Sequence, residues 1–258
     1  MLLGQARRAR GESYVAGGVA LNALLNAQRV SRDIDVFHDS DSALAASWAA
    51  DREILTSNGF DVSVMRESPA FVEALVAGET GRCMMEWARD SAFRFFPLME
   101  DPLFGLTLHP FDLATNKVLA LAGRLEVRDW VDVLTCDQRM QPLGYLIFAA
   151  CGKDPGYNPF SLLDAARRQH YSQPELDTLD FEGDSPDAAA LGQRWHEALT
   201  SANEICAVLP PDEVGTCVAT GDGALCTVEA AALHDALEQR VVVFHKGSIG
   251  GAWPRVVG

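Results

Sequence analysis

From residue 14 onward the chain alternates short apolar runs with longer mixed stretches, and the period of the pattern changes along its length. Residues 14–16 (YVA) predict a short buried strand that runs into Gly17-Gly18. Residues 19–28 (VALNALLNAQ) have the propensity of a helix. Residues 30–37 (VSRDIDVF) then read as a strand ending near Phe37. A helix is predicted over residues 41–58, with Asp41 or Ser42 as its cap and Gly59 just past its end. Residues 60–65 (FDVSVM) alternate as a strand does. Residues 70–75 fit a strand or a helical turn, residues 82–87 a strand, and residues 91–96 another short one.

After Pro110 the pattern becomes helical. Residues 111–123 (FDLATNKVLALAG) form a predicted helix ended by glycine, and a second begins at residue 127. Residues 138–151, 160–171 and 188–209 are also predicted helices, and the acidic stretch 177–187 a loop. Short strands at 215–220 and 240–245 flank a predicted helix at 228–239. The expected organisation is α+β: an α/β domain with a mixed sheet over residues 1–108, then a mainly helical domain over 109–258 with some short strands near its end.

Composition narrows the classes. The 258 residues carry a net charge of −15, which argues against non-specific gripping of nucleic acid over the whole surface. Arg7, Arg8 and Arg10, and separately Arg167 and Arg168, are local basic clusters that read first as solvated faces. The longest apolar run, residues 142–151, is about half the roughly 20 residues of a membrane helix and reads as a core element. Neither a membrane span nor a signal peptide is expected, which suits a cytoplasmic protein. The six cysteines form no CxxC and read as reduced, buried thiols.

The chemistry concentrates around residues 17–35. In a strand, Asp33 and Asp35 share a face, and two carboxylates so close repel unless a positive group lies between them. A pair of hard divalent cations is one such group; a solvated strand end is the plainer alternative. Glycines at a strand–helix turn let backbone approach a phosphate, and the helix N-terminus supplies free amides. A returning helix brings Gly17-Gly18 and the two aspartates to the same end of neighbouring strands. A phosphate cradle beside paired carboxylates suits metal-dependent phosphoryl or nucleotidyl transfer, because magnesium favours carboxylates together with substrate phosphates.

GG, a helix and then SRDID resembles the signature of the DNA polymerase β-like nucleotidyltransferases. Residues 109–134 (HPFDLATNKVLALAGRLEVRDWVDVL) resemble the second block of the AbiEii-type members, which include toxins of abortive-infection and type IV toxin–antitoxin systems. The two blocks occur in order over about residues 14–135. The resemblance implies a polymerase β-like nucleotidyltransferase domain that moves NMP from an NTP to an acceptor with Mg²⁺ or Mn²⁺. Asp33 and Asp35 match the metal-binding carboxylates, Gly17 and Gly18 the phosphate loop, and Ser31 the small polar residue before the aspartates. Lys117 matches a helix lysine expected to meet phosphates, and Arg124, Arg128, Asp129 and Asp132 match the pattern that follows it.

A third carboxylate is expected on a neighbouring strand. Glu86 is the candidate, with Asp90 as the alternate; glutamate departs from the aspartate common there. The acceptor is left open among RNA (tRNA for one), a protein side chain and a small molecule, and a cognate antitoxin is an implied partner. A nucleotide-binding or partner-binding module without turnover is the alternative function. His38 reads as a loop histidine, residues 245–251 as a glycine-rich turn, and the five tryptophans as packing.

Overall fold

The computed structural model describes residues 2–254. Its elements begin with α1 (Leu2–Arg10), β1 (Tyr14–Ala16), α2 (Gly17–Leu25), β2 (Arg29–Val30), β3 (Asp33–His38), α3 (Asp41–Ser57) and β4 (Asp61–Ser68). Then come β5 (Phe71–Gly78), β6 (Gly81–Arg89), β7 (Phe93–Arg94), β8 (Met99–Asp101) and β9 (Gly105–Thr107). They continue with α4 (Pro110–Gly123), α5 (Val127–Arg139), α6 (Leu143–Ala150), α7 (Pro159–Arg167), α8 (Gln173–Leu176), β10 (Asp180–Phe181) and α9 (Ala188–Val208). The last are β11 (Thr216–Thr220), α10 (Ala230–Glu238), β12 (Val242–Lys246) and β13 (Ser248–Ile249). The chain divides into two compact units. The first holds the residues up to Leu24, Ser31–Ala92 and Pro97–His109; the second holds Leu25–Val30, Phe93–Phe96 and the chain from Pro110. This differs from a single cut after residue 108 in the two short segments that join the second unit.

The first unit is built on a seven-stranded mixed sheet in the order β4-β5-β6-β3-β1-β9-β8. β3 runs parallel to β6 and antiparallel to β1. The two-residue period of the strands sends Val36, Val72, Val76, Met85 and Trp87 to one face, where Leu44, Trp48 and Leu55 of α3 cover them. Asp51 of α3 is buried in the same layer. It accepts the Trp87 indole N–H at 3.1 Å and pairs with Arg7 and Arg10 of α1. Without those partners a buried carboxylate there would be strongly destabilising.

Several local expectations are revised. The cap of α3 is Ser40, not Asp41 or Ser42: its backbone is extended, and its Oγ accepts the Ala43 amide at 3.2 Å. Of the ambiguous stretch at 70–75, residues 71–75 lie in strand β5, which runs between β4 and β6 and alternates in burial, and Ala70 is in the turn before it. The basic cluster at the start lies on α1, and its Arg7 is buried against Asp51 rather than solvated.

The second unit is mainly helical around α6, every residue of which is buried. Tyr145 and Phe148 of α6 pack with Ile205, Leu209, Val218 and Leu233. The helix expected over 138–151 is interrupted before α6, where Pro142 cannot donate an amide and Asp137 instead accepts the Leu143 amide at 2.8 Å. The helix expected over 160–171 ends at Arg167. The stretch expected as a loop at 177–187 contains β10, which pairs with β2. β11 and β12 are the short strands expected on either side of a helix, here α10, and they pair antiparallel with each other. Among the described residues no helix is long and apolar enough to cross a membrane.

Candidate active site

The turn from β1 into α2 is shaped by one glycine. Gly17 has φ +65, a backbone that L side chains rarely adopt. A Cβ built there would lie 1.6 Å from Asp35 Oδ2, so the carboxylate of Asp35 rests against bare glycine backbone. The antiparallel register explains the approach: Ala16 stands opposite Asp35. Gly17 and Gly18 are also the first residues of α2, so the amides of a helix start lie beside this carboxylate. Ser31 precedes β3 and is half-buried.

Asp33 and Asp35 are half-buried on the face of β3 opposite Val36, and so opposite the layer that α3 covers. Glu86 stands in register with Asp35 on the parallel neighbour β6 and therefore projects to the same face. Asp90 lies past the end of β6, where its carboxylate accepts the Ser91 amide at 2.7 Å. Register thus favours Glu86 over Asp90 as the neighbour of the aspartates. The paired oxygens of Asp33 and Asp35, with the glycine cradle beside them, suit a hard divalent cation in donor type. Among the described residues, however, no three His, Cys, Asp or Glu side chains are gathered so as to hold a metal ion.

The residues of the second sequence block form a buried charge network in the second unit. Lys117 of α4 is 8% exposed, and its Nζ lies 2.9 Å from both Asp129 and Asp132 of α5. Arg124 donates to both oxygens of Asp129, at 2.6 and 3.2 Å. Arg29 grips Asp132 in the same two-pronged way, at 2.6 and 2.9 Å. Three cations against two carboxylates leave a formal charge of +1. Burial by itself would lower the Lys117 pKa, but Asp132 and Asp129 outweigh it and hold the ammonium above its ordinary range. Burial likewise pushes Asp129 up, and Arg124 and Lys117 outweigh that and hold it below the usual carboxylate value. Arg128 is half-exposed and lies 3.9 Å from Glu126.

Arg29 was not singled out in the sequence. Its signal was its place in QRVSRDID, two residues before Ser31. Lys153 was also missed; it bonds Asp112 and Asn116 while Asp112 accepts the amides of Phe95 and Phe96. His38 is not a loop histidine: it ends β3 fully buried, with Nδ1 3.2 Å from the Ala88 carbonyl. His245, in the glycine-rich turn, is buried with Nε2 2.8 Å from the Phe95 carbonyl. Trp253 is exposed, whereas the other four tryptophans are buried. All six cysteines are free, and Cys83 differs from the other five in being only half-buried.

No protein-family model matches the chain, and no curated sequence matches it. Among solved structures, the chain is similar to MenT4, a nucleotidyltransferase toxin from Mycobacterium tuberculosis H37Rv. The likeness has a TM-score of 0.50 and 19% identity, over 82% of this chain and 85% of that one. The chain has a nucleotidyltransferase fold. JHP933 from Helicobacter pylori is less similar, with a TM-score of 0.44 and 15% identity over 80% of this chain and 92% of the other.

Proposed function

We propose that the chain is a metal-dependent nucleotidyltransferase of the AbiEii-like, toxin-like kind, moving NMP from an NTP to an acceptor. The observation that carries this reading is the contact of Asp35 with the bare backbone of Gly17, which puts a carboxylate pair beside the start of α2. Gly17, Gly18 and the first amides of α2 bind triphosphate oxygens. Asp33 and Asp35 would hold Mg²⁺ or Mn²⁺, which when bound neutralises phosphate charge and activates the attacking oxygen. Glu86, on the same face, orients the acceptor hydroxyl and takes its proton. The +1 network of Lys117, Arg124, Arg29, Asp129 and Asp132 keeps Lys117 a permanent cation, a property suited to phosphate and not to a general base. The toxin named among the similar structures supports the toxin-like part of this reading and with it a cognate antitoxin as partner; RNA such as tRNA is the acceptor to test first, as the sequence resemblance implies.

A second reading, a module that binds nucleotide without turnover, is favoured by one observation: among the described residues no three His, Cys, Asp or Glu side chains are gathered so as to hold a metal ion. Calorimetric titration with each of the four NTPs, with and without magnesium, tests both. Magnesium-dependent binding that disappears in Asp35→Asn supports the site. Turnover is then read as pyrophosphate release in the presence of tRNA. Asp35→Asn should reduce it by more than about 100-fold, since even an outer-shell partner of a metal costs about 10–100-fold. Binding without pyrophosphate release from any acceptor selects the module, and undiminished activity in Asp33→Asn and Asp35→Asn removes the metal site.

A further inference from the structure

On the sheet face that carries Asp33 and Asp35, register sets out two successive rows of side chains. The first is charged: Asp35 of β3, Glu86 of β6 and Glu73 of β5 stand opposite one another, with Arg66 of β4 at the end. One pleat further along, the row is Tyr14 of β1, Phe37 of β3, Ala88 of β6 and Phe71 of β5. Opposed residues share a face, as do residues two apart on a strand, so both rows look out on the side away from α3. The step from one row to the next is about 6.8 Å. All of these residues belong to the first unit.

Phe37, Ala88 and Phe71 are half-buried, so each keeps part of its surface open. Both rings are backed on their outer sides. The Tyr14 ring stands 6.4 Å from that of Phe37, on the β1 side. The Arg66 guanidinium lies over the Phe71 ring at 5.3 Å, on the β4 side. At this level β6, the strand between the rings, carries the methyl of Ala88. Neighbouring strands lie about 4.8 Å apart, so β3 and β5 are about 9.6 Å from each other. Two aromatic walls over a methyl floor make a slot for a flat, uncharged ring, the arrangement that stacks a base by its π-face. The glycine turn lies on the β1 flank of Asp35, since Ala16 stands opposite it there. The slot is centred on the other flank, next to Glu86 on β6. A triphosphate at the glycine turn and a ring in the slot therefore lie on opposite sides of Asp35, which gives the slot to the acceptor.

We propose that Phe37, Ala88 and Phe71 form the subsite for the terminal base of a single-stranded nucleic-acid acceptor, whose ribose spans the step from the slot to Glu86. The slot carries no charge and takes the base. Arg66, exposed at the outer wall, is the cation for a backbone phosphate that the carboxylate row would repel. The place of the reacting hydroxyl rests on the function proposed above; the stacking of the base does not.

The test titrates a fluorescein-labelled hexaadenylate with the protein in magnesium, read by fluorescence anisotropy, beside the same oligomer lacking its 3′-terminal base. The complete oligomer should bind about 10–100-fold more tightly, the worth of one stacked base. Phe71→Leu removes one wall and Ala88→Leu fills the floor. In each variant the two oligomers should bind alike, with the fold intact by circular dichroism. Phe37→Leu removes the other wall and serves if Phe71→Leu does not fold. Equal binding of the two oligomers by the unmodified protein, or binding of neither, overturns the proposal, as does a base preference that survives in a folded slot variant. Loss of magnesium-dependent NTP binding in Phe71→Leu overturns it too, because the slot would then hold the base of the NTP. The oligomer titration contains no NTP and needs no turnover. A protein that prefers the complete oligomer yet releases no pyrophosphate would keep the subsite and refute only the transferase reading.

Discussion

At the scale of single residues, the strongest constraint is the contact between Gly17 and Asp35. Gly17→Ala has two faults: its φ of +65 is unfavourable for alanine, and its Cβ would overlap Asp35 Oδ2. The backbone term alone costs about 1–2 kcal/mol. The overlap is relieved only if Asp35 moves. Magnesium-dependent NTP binding should therefore be lost in calorimetry while a thermal melt still shows a folded protein; normal binding would mean that the position of Asp35 does not matter. Lys117→Met removes one of the three cations but leaves each buried aspartate its arginine, so in urea unfolding it should cost less than the about 3–5 kcal/mol of a broken buried pair. Arg124→Gln should cost about 1 kcal/mol or less, because the Arg124 side chain is 47% exposed. The pH dependence has a definite sign. The raised pKa of Lys117 means that its contribution is complete below 10.5 and lost as pH rises through the folded value. The lowered pKa of Asp129 means that its contribution is present above 3.8 and lost as pH falls through the folded value. Lys117→Met should abolish the alkaline loss, which urea midpoints at pH 9 and 11 would show. The glycines, the aspartate pair and Lys117 could be found in the sequence because they fall at fixed spacings. Arg29 could not, since its partner Asp132 lies 103 positions away and no local pattern marks such a pair.

At the scale of elements, β3 shows what alternation can and cannot reveal. Its alternation placed Asp33 and Asp35 on one face and Val36 on the other, and the structure has that division. The same alternation, carried two residues on, puts His38 on the α3 side, yet a histidine after an apolar strand looks like the start of a loop. It is in fact sealed in. Its pKa is lowered chiefly by burial, against the opposing pull of the Ala88 carbonyl and Asp51, with Arg7 adding to the lowering. A folded value below the unfolded 6.5 means that the contribution of neutral His38 is complete above pH 6.5. It is lost as pH falls from there through the folded value. His38→Leu should therefore flatten the decline in urea midpoint between pH 7.5 and 5, and an unchanged decline would assign that titration to another group. Residues 70–75 were ambiguous for a different reason: a short apolar run fits either period, and only pairing with β4 and β6 decides it.

At the scale of the whole molecule, the instructive feature is how the chain is shared between its two units. It passes between them at residues 24–25, 30–31, 92–93, 96–97 and 109–110. The change from strand to helix pattern after Pro110 marks the last passage clearly. The earlier ones leave no such trace, because each short segment belongs to the second unit through distant partners. β2 pairs with β10, and β7 with β13. Arg29 holds Asp132, and the Phe95 and Phe96 amides hold Asp112. His245 loses its Phe95 contact if that segment is removed. The chain from Pro110 onward, expressed alone, keeps Lys117 and Lys153 beside these aspartates but lacks their other partners. Breaking one buried charge pair costs about 3–5 kcal/mol, against a total stability of about 5–15 kcal/mol for a domain. The fragment should therefore be largely unfolded by far-UV circular dichroism, or unfold at a much lower urea midpoint than the same helices in the intact chain. A fragment that unfolds at the midpoint and slope of the intact protein would show instead that residues 25–30 and 93–96 contribute little to the second unit. In that case the helical half could be studied alone, and the Arg29–Asp132 pair would add little to its stability.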